Sequence, residues 1–234
     1  MGSKIKLTAS DGQTIGAYFA QSNEPVRGAV VVVQEIFGVN GHIRAVADGF
    51  ANEGYSAIAP ALFDRVEPDL ELPYGRDSAG RGMAIATKLG MDAPLRDAAA
   101  AIAYLRELPG GSSSGRQHET KVAVVGYCYG GTLAWLAATR LDPAAAVGYY
   151  GGRIADYVTE TPRCPVMLHF GSRDAHIPPA KIEPIQRLHP EVQVFLYDAG
   201  HGFNCDQRPD YSPEAANLAR QRTLDFLKVH LAAE

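Results

Sequence analysis

The sequence predicts an α/β fold: a mainly parallel central sheet with helices on both faces. Two observations predict it. Four apolar runs are continuous rather than alternating, the pattern of strands buried on both faces, and helical periodicity falls between them. Ahead of them, two short segments flank Asp11-Gly12, a hairpin turn signal that adds an antiparallel start.

The elements follow in order. Ile5–Thr8 and Thr14–Phe19 are the arms of the hairpin. Gly28–Gln34 (GAVVVVQ) is the first interior strand. Asp92 caps a helix with Leu95, Ala98, Ile102 and Leu105 at 3–4 spacing. Pro109–His118 (PGGSSSGRQH) is read as a surface loop rather than an interdomain linker, because each flanking half is only about 110 residues and the next strand is fully apolar. Lys121–Gly126, Ala145–Tyr150 and Pro165–Gly171 are interior strands, with an Ala/Leu-rich helix at Thr132–Arg140. Val192–Tyr197 alternates more and belongs nearer an edge. Ser212-Pro213 reads as N-cap and first helical residue, ahead of an apolar stripe at Leu224, Leu227 and Leu231.

All 234 residues are expected to form one domain. At this size roughly 70% of the unfolded surface is buried on folding, enough for a single core. The net charge of −4 and the lack of a basic stripe argue against nucleic-acid binding. No apolar run has the roughly 18 residues of a membrane helix, and MGSKIKLTASDGQ has no apolar signal core. Three cysteines in so long a chain suit a reducing compartment better than a disulfide framework, so a cytoplasmic protein, monomeric or a small homo-oligomer, is expected.

The strongest chemical signal is Gly126-Tyr127-Cys128-Tyr129-Gly130-Gly131, directly after a buried strand and directly before a helix. This is the strand–turn–helix setting in which G-x-S-x-G forms a nucleophile elbow, here with sulfur for oxygen. A helix N-terminus favours a thiolate. Asp174, in GSRDAHIP, and His201, in DAGHGF, each follow an apolar strand and complete the order nucleophile, acid, histidine. Glu35 ends the run VVVVQ. It reads either as a second base near Cys128 or as a carboxylate bonded to donors of the next turn. The amides of Ile36 and Tyr129 are the expected oxyanion donors. Trp135 and His169 read as core residues, and Cys164 and Cys205 as free thiols without a role. No metal set and no phosphate-cradling motif stands out, so no cofactor is expected.

These motifs make the chain resemble the dienelactone hydrolase (carboxymethylenebutenolidase) family of α/β hydrolases. The likeness rests on QEIFGVN (34–40), VGYCYGG (125–131), AVGYYGG (146–152), GSRDAHIP (171–178), AGHGF (199–203) and RTLDFL (222–227). It implies the α/β-hydrolase fold and a cysteine-dependent hydrolase of small lactones or activated esters that forms a thioester. It assigns Cys128, Asp174 and His201 to the triad. It makes Glu35 the acceptor of the thiol proton when substrate arrives, and Phe37 and Tyr149 substrate-lining. The family's serine directly after the histidine and its carboxylate-binding arginine are replaced by Gly202 and Cys205. Anion recognition then falls to Arg81, Arg76 or Arg208. The alternatives are a general carboxylesterase or thioesterase, or a non-catalytic binding module on the same scaffold.

Overall fold

The computed structural model describes residues 2–23, 27–108 and 119–232. Eight strands form one sheet: β1 (Ser3–Thr8), β2 (Thr14–Ala20), β3 (Ala29–Val33), β4 (Ser56–Pro60), β5 (Val122–Tyr127), β6 (Ala145–Tyr149), β7 (Val166–Gly171) and β8 (Gln193–Tyr197). Their spatial order is β1-β2-β4-β3-β5-β6-β7-β8. Only β2 runs against its neighbours, pairing antiparallel with β1 and β4; every other pair is parallel. The continuous apolar runs became β3, β5, β6 and β7, in which every residue is buried. Each buried valine of β3 stabilises the fold by roughly 1.5–3 kcal/mol. β8 is an edge strand, as expected, and is the least buried of the parallel strands, with Gln193 and Leu196 exposed.

Among the described residues six helices cover the sheet: α1 (Gly41–Asn52), α2 (Arg76–Leu89), α3 (Asp92–Arg106), α4 (Tyr129–Arg140), α5 (Pro179–Leu188) and α6 (Pro213–His230). Strand alternation decides their sides. A Cβ on Gly148 would meet the Gly131 carbonyl of α4 at 3.0 Å, whereas the hydroxyl of neighbouring Tyr149 lies 2.6 Å from Thr223 Oγ1 on α6. So α4 and α6 lie on opposite faces. α3 packs beside α4, and α1 is joined to α6 by Arg220–Glu53 at 2.8 Å. The mainly parallel, doubly covered sheet is the predicted α/β-hydrolase architecture.

Three local expectations are refined. β4 was not anticipated; SAIAP is short and ends in proline. Asp92 does not cap α3 but is its first residue, Met91 holding the cap position, and its carboxylate pairs with Arg140 at 3.3 Å. The Thr132–Arg140 helix starts three residues earlier, at Tyr129. Ser212 does cap α6, its hydroxyl accepting from Ala215 N. The Pro109–His118 segment lies outside the described residues. Trp135 is fully buried. His169 is a satisfied core histidine, its Nδ1 2.8 Å from Tyr197 Oη and its Nε2 3.1 Å from Thr223 Oγ1.

Candidate active site

β5 ends at Tyr127 and α4 begins at Tyr129, so the chain reverses at a single residue, Cys128. Cys128 adopts φ 53°, ψ −111°, a conformation that costs a non-glycine residue of order 1–3 kcal/mol. The flanking glycines make the turn possible. A Cβ on Gly126 would come within 1.8 Å of the Gly130 carbonyl oxygen, and one on Gly130 within 2.3 Å of the Val33 oxygen. The Gly130 amide donates to the Gln34 carbonyl at 3.1 Å. That bond ties the start of α4 to the turn carrying Glu35 and Ile36. The Tyr129 amide, in the first turn of α4, has no intrahelical partner and is available to an external acceptor.

Cys128 Sγ lies 3.2 Å from His201 Nε2, and His201 Nδ1 lies 2.6 Å from Asp174 Oδ2. The His176 amide donates to the other Asp174 oxygen at 2.8 Å. The three side chains come from the carboxyl ends of β5, β7 and β8, the edge where parallel sheets place their ligands. Burial pulls the His201 pKa down, but the Asp174 carboxylate and then the Cys128 sulfur outweigh it, and the value rises to about 10. Burial pushes Asp174 up, but the hydrogen bond and charge of His201 and the His176 amide together more than reverse this, leaving the carboxyl below its ordinary value. An imidazole held between sulfur and carboxylate can pass a proton in either direction.

Glu35 is completely buried and doubly bound. Tyr74 Oη donates to its Oε2 at 2.8 Å, and Arg208 Nη1 to its Oε1 at 3.1 Å. Of the two sequence readings, a paired carboxylate is what this conformation holds, though its partners are side chains. Burial works against the charge on Arg208, and Glu35, then Cys128, hold it. Phe37 packs against Tyr74 at 4.6 Å between ring centroids and lies under the Arg208 guanidinium.

Two expected site residues do not join this group. Tyr149 is paired in register with Tyr127, and their rings stack at 4.7 Å on the α6 face. Its hydroxyl is taken by Thr223. Tyr150, one residue on, is the tyrosine that reaches the site: its ring stands edge-on to His201 at 5.2 Å. Its hydroxyl is buried with no hydrogen-bond partner among the described residues, and its backbone has φ 38°. Arg81 is half exposed and paired with Glu67 at 2.5 Å. Its neighbour Gly82 faces the Ile36 carbonyl, and on a helix the next side chain is turned about 100° away. Arg76 opens α2 and is exposed.

The model of the dienelactone hydrolase family matches residues 15–231. The chain belongs to this family. It is 34% identical over 230 residues to a carboxymethylenebutenolidase of Pseudomonas putida, covering 95% of this chain and 94% of that one. It is 32% identical over 233 residues to carboxymethylenebutenolidase 1 of Cupriavidus pinatubonensis, covering 95% of each. In fold it matches a solved dienelactone hydrolase-like promiscuous phosphotriesterase from metagenomic libraries, with a TM-score of 0.75, 22% identity and 99% of both chains covered. As a member of the dienelactone hydrolase family the chain is a hydrolase of ester or lactone bonds on a small-molecule substrate.

The departures from the dienelactone hydrolase pattern are coupled. Gly202 has φ 80°, and a Cβ there would lie 2.5 Å from Arg208 Cζ. Loss of the expected serine makes room for an arginine arriving three positions later than the one Cys205 replaces. Tyr74, Tyr150 and the placement of Arg208 were missed. Tyr74 sits in an irregular loop with no motif. Tyr150 was recoverable from strand alternation, since Tyr149 is in register with the residue before the nucleophile. Folding also gathers potential metal ligands, His42, Cys205 and Asp206, where the sequence suggested none; the first two are 163 positions apart (205 − 42). Among the described residues no helix is long and apolar enough to cross a membrane.

Proposed function

We propose that the chain is a cysteine-dependent hydrolase of small anionic lactones or activated esters, working through a thioester acyl-enzyme. The observation that carries this is the unbroken contact from Asp174 through His201 to Cys128 Sγ at a strained strand–helix turn. Arg208 supports the anionic preference, because it is paired with the Glu35 carboxylate, which a substrate carboxylate can replace.

The steps balance as follows. A substrate carboxylate draws the Arg208 guanidinium, and Glu35, freed from it, accepts the Cys128 thiol proton. The sulfur attacks the carbonyl carbon, and the oxyanion is stabilised by the Ile36 and Tyr129 amides. The ester C–O bond breaks, His201 gives its proton to the departing oxygen, and a thioester remains. Neutral His201 then takes a proton from water, whose oxygen attacks the thioester. The sulfur leaves and recovers its proton from Glu35. Thiolate is itself a good leaving group, so stabilised leaving groups such as enolates suit this site best.

Replacing Cys128 by Ala should reduce turnover of an enol lactone by at least about 10³-fold. It should also remove the acyl adduct seen by intact mass spectrometry of quenched wild-type enzyme; undiminished turnover sinks the proposal. A neutral-ester or thioester hydrolase is the second reading, favoured by Gly202 and Cys205 in place of the family's serine and arginine. The two separate on matched substrates: the anionic reading expects kcat/KM to fall at least tenfold on methylating the carboxylate, and Arg208→Ala to erase that preference.

A further inference from the structure

The segment between His201 and Arg208 carries a second group of reactive side chains. Cys205 is fully buried and Asp206 is exposed, and His42, in the first turn of α1, lies against them. An imidazole nitrogen, a thiol sulfur and a carboxylate oxygen from these residues all lie within 4.8 Å of one another. His42 is 5% exposed, yet among the described residues its Nε2 has no hydrogen-bond partner, and its Nδ1 has only a 3.4 Å approach to Asp206 Oδ1. A buried ring nitrogen left without a partner costs free energy. The edge-on packing of Tyr74 on this ring, at 6.2 Å, does not satisfy it. A cavity of about 290 Å³ between α1 and α6 is lined by His42, Asn204 and Asp206 and gives an ion and its waters a way in.

We propose that His42, Cys205 and Asp206 form a zinc site, separate from Cys128, His201 and Asp174. Nitrogen, sulfur and oxygen donors together match zinc, and three protein ligands leave a fourth position for water. Ligand atoms around a tetrahedral zinc are roughly 3.3–3.8 Å apart, given bonds of about 2.0–2.3 Å, so closing from 4.8 Å is a side-chain adjustment. Binding forms a zinc–sulfur bond and releases the Cys205 thiol proton to solvent, with no change of oxidation state. The ion ties α1 to the loop that runs from His201 to Arg208.

The test is equilibrium zinc binding to chelator-stripped protein carrying Cys128→Ala, which removes the other thiol–imidazole pair that could take zinc. Zinc is titrated against a chromogenic chelator, and cobalt is used as a spectroscopic substitute. The expected result is one zinc per chain with a Kd below on the order of 10 µM, a thiolate-to-cobalt charge-transfer band, and a higher Tm with zinc but not with magnesium. His42→Gln and Cys205→Ser should each weaken binding at least tenfold. So should Asp206→Asn, a surface change that keeps the fold intact if Cys205→Ser does not. The proposal is overturned if the Cys128→Ala protein holds no zinc in that range, if magnesium competes equally, or if the His42 and Asp206 variants bind as tightly as their parent.

Discussion

Tyr150 carries a buried hydroxyl without a partner beside His201. Leaving such a group unpaired costs about 1–3 kcal/mol. Tyr150→Phe should therefore raise unfolding stability by about 1 kcal/mol in urea titrations while lowering kcat/KM, because a bound substrate is the partner the hydroxyl lacks. A loss of stability together with unchanged kinetics would contradict this. For Asp174→Asn the expectation is a fall in kcat of roughly 10³–10⁴, the cost of the wrong imidazole tautomer. The His201 pKa, followed by NMR, should drop because its strongest raising partner is gone. Gly202→Ser tests the coupled departure. Its Cβ collides with the Arg208 guanidinium at a positive φ, so KM for an anionic ester should rise more than KM for its neutral counterpart. At this scale the sequence was legible where chemistry follows from chain position: Cys128 between its glycines, Asp174 and His201 just past their strands. Tyr74 and Arg208 were not, because what matters about them is a contact with Glu35 made across 39 and 173 positions.

Polar groups also tie the elements to one another. Arg65, in a short 3-10 turn at Leu62–Arg65 after β4, makes two 2.8 Å bonds to Asp97 of α3, whose side chain is fully buried. Burial pushes the Asp97 carboxyl up against the pull of Arg65, and the Asp97 hydrogen bond in turn holds the Arg65 charge firmly. Removing one partner leaves a desolvated charge, and Asp97→Ala should cost about 3–5 kcal/mol in chemical denaturation. Asp11 keeps a second bond to Arg65, which favours the lower end. Strands that are apolar on both faces were readable from composition alone. β4 was missed because five residues ending in proline carry too little pattern, and its place between β2 and β3 is settled by pairing with both.

For the whole molecule, two histidines set opposite slopes of stability against pH. His201 is raised, so its contribution is fully present below about 6.5 and is lost as pH rises toward about 10. His169 is pushed down to about 3 by burial and then by Arg222. Below about 6.5 the unfolded chain binds a proton that folded His169 refuses, so stability falls with acidity, by about 1.4 kcal/mol per pH unit. Between pH 7 and 5 the wild type should lose about 2 kcal/mol more than a His169→Gln variant, measured by urea unfolding at both pH values. Fold class was legible because it depends on the pattern of whole segments. The packing of His42 against Cys205 was not, since no local signal links residues on different elements. The topology also bears on synthesis. The sulfur at the elbow and its imidazole partner are 73 residues apart in the chain. At about 5–20 residues per second, the sulfur emerges from the ribosome roughly 4–15 s before the imidazole that it contacts. Through that interval the newborn chain has the strained elbow without its partners, and the contact from Asp174 through His201 to Cys128 closes only after the last two strands have joined the sheet.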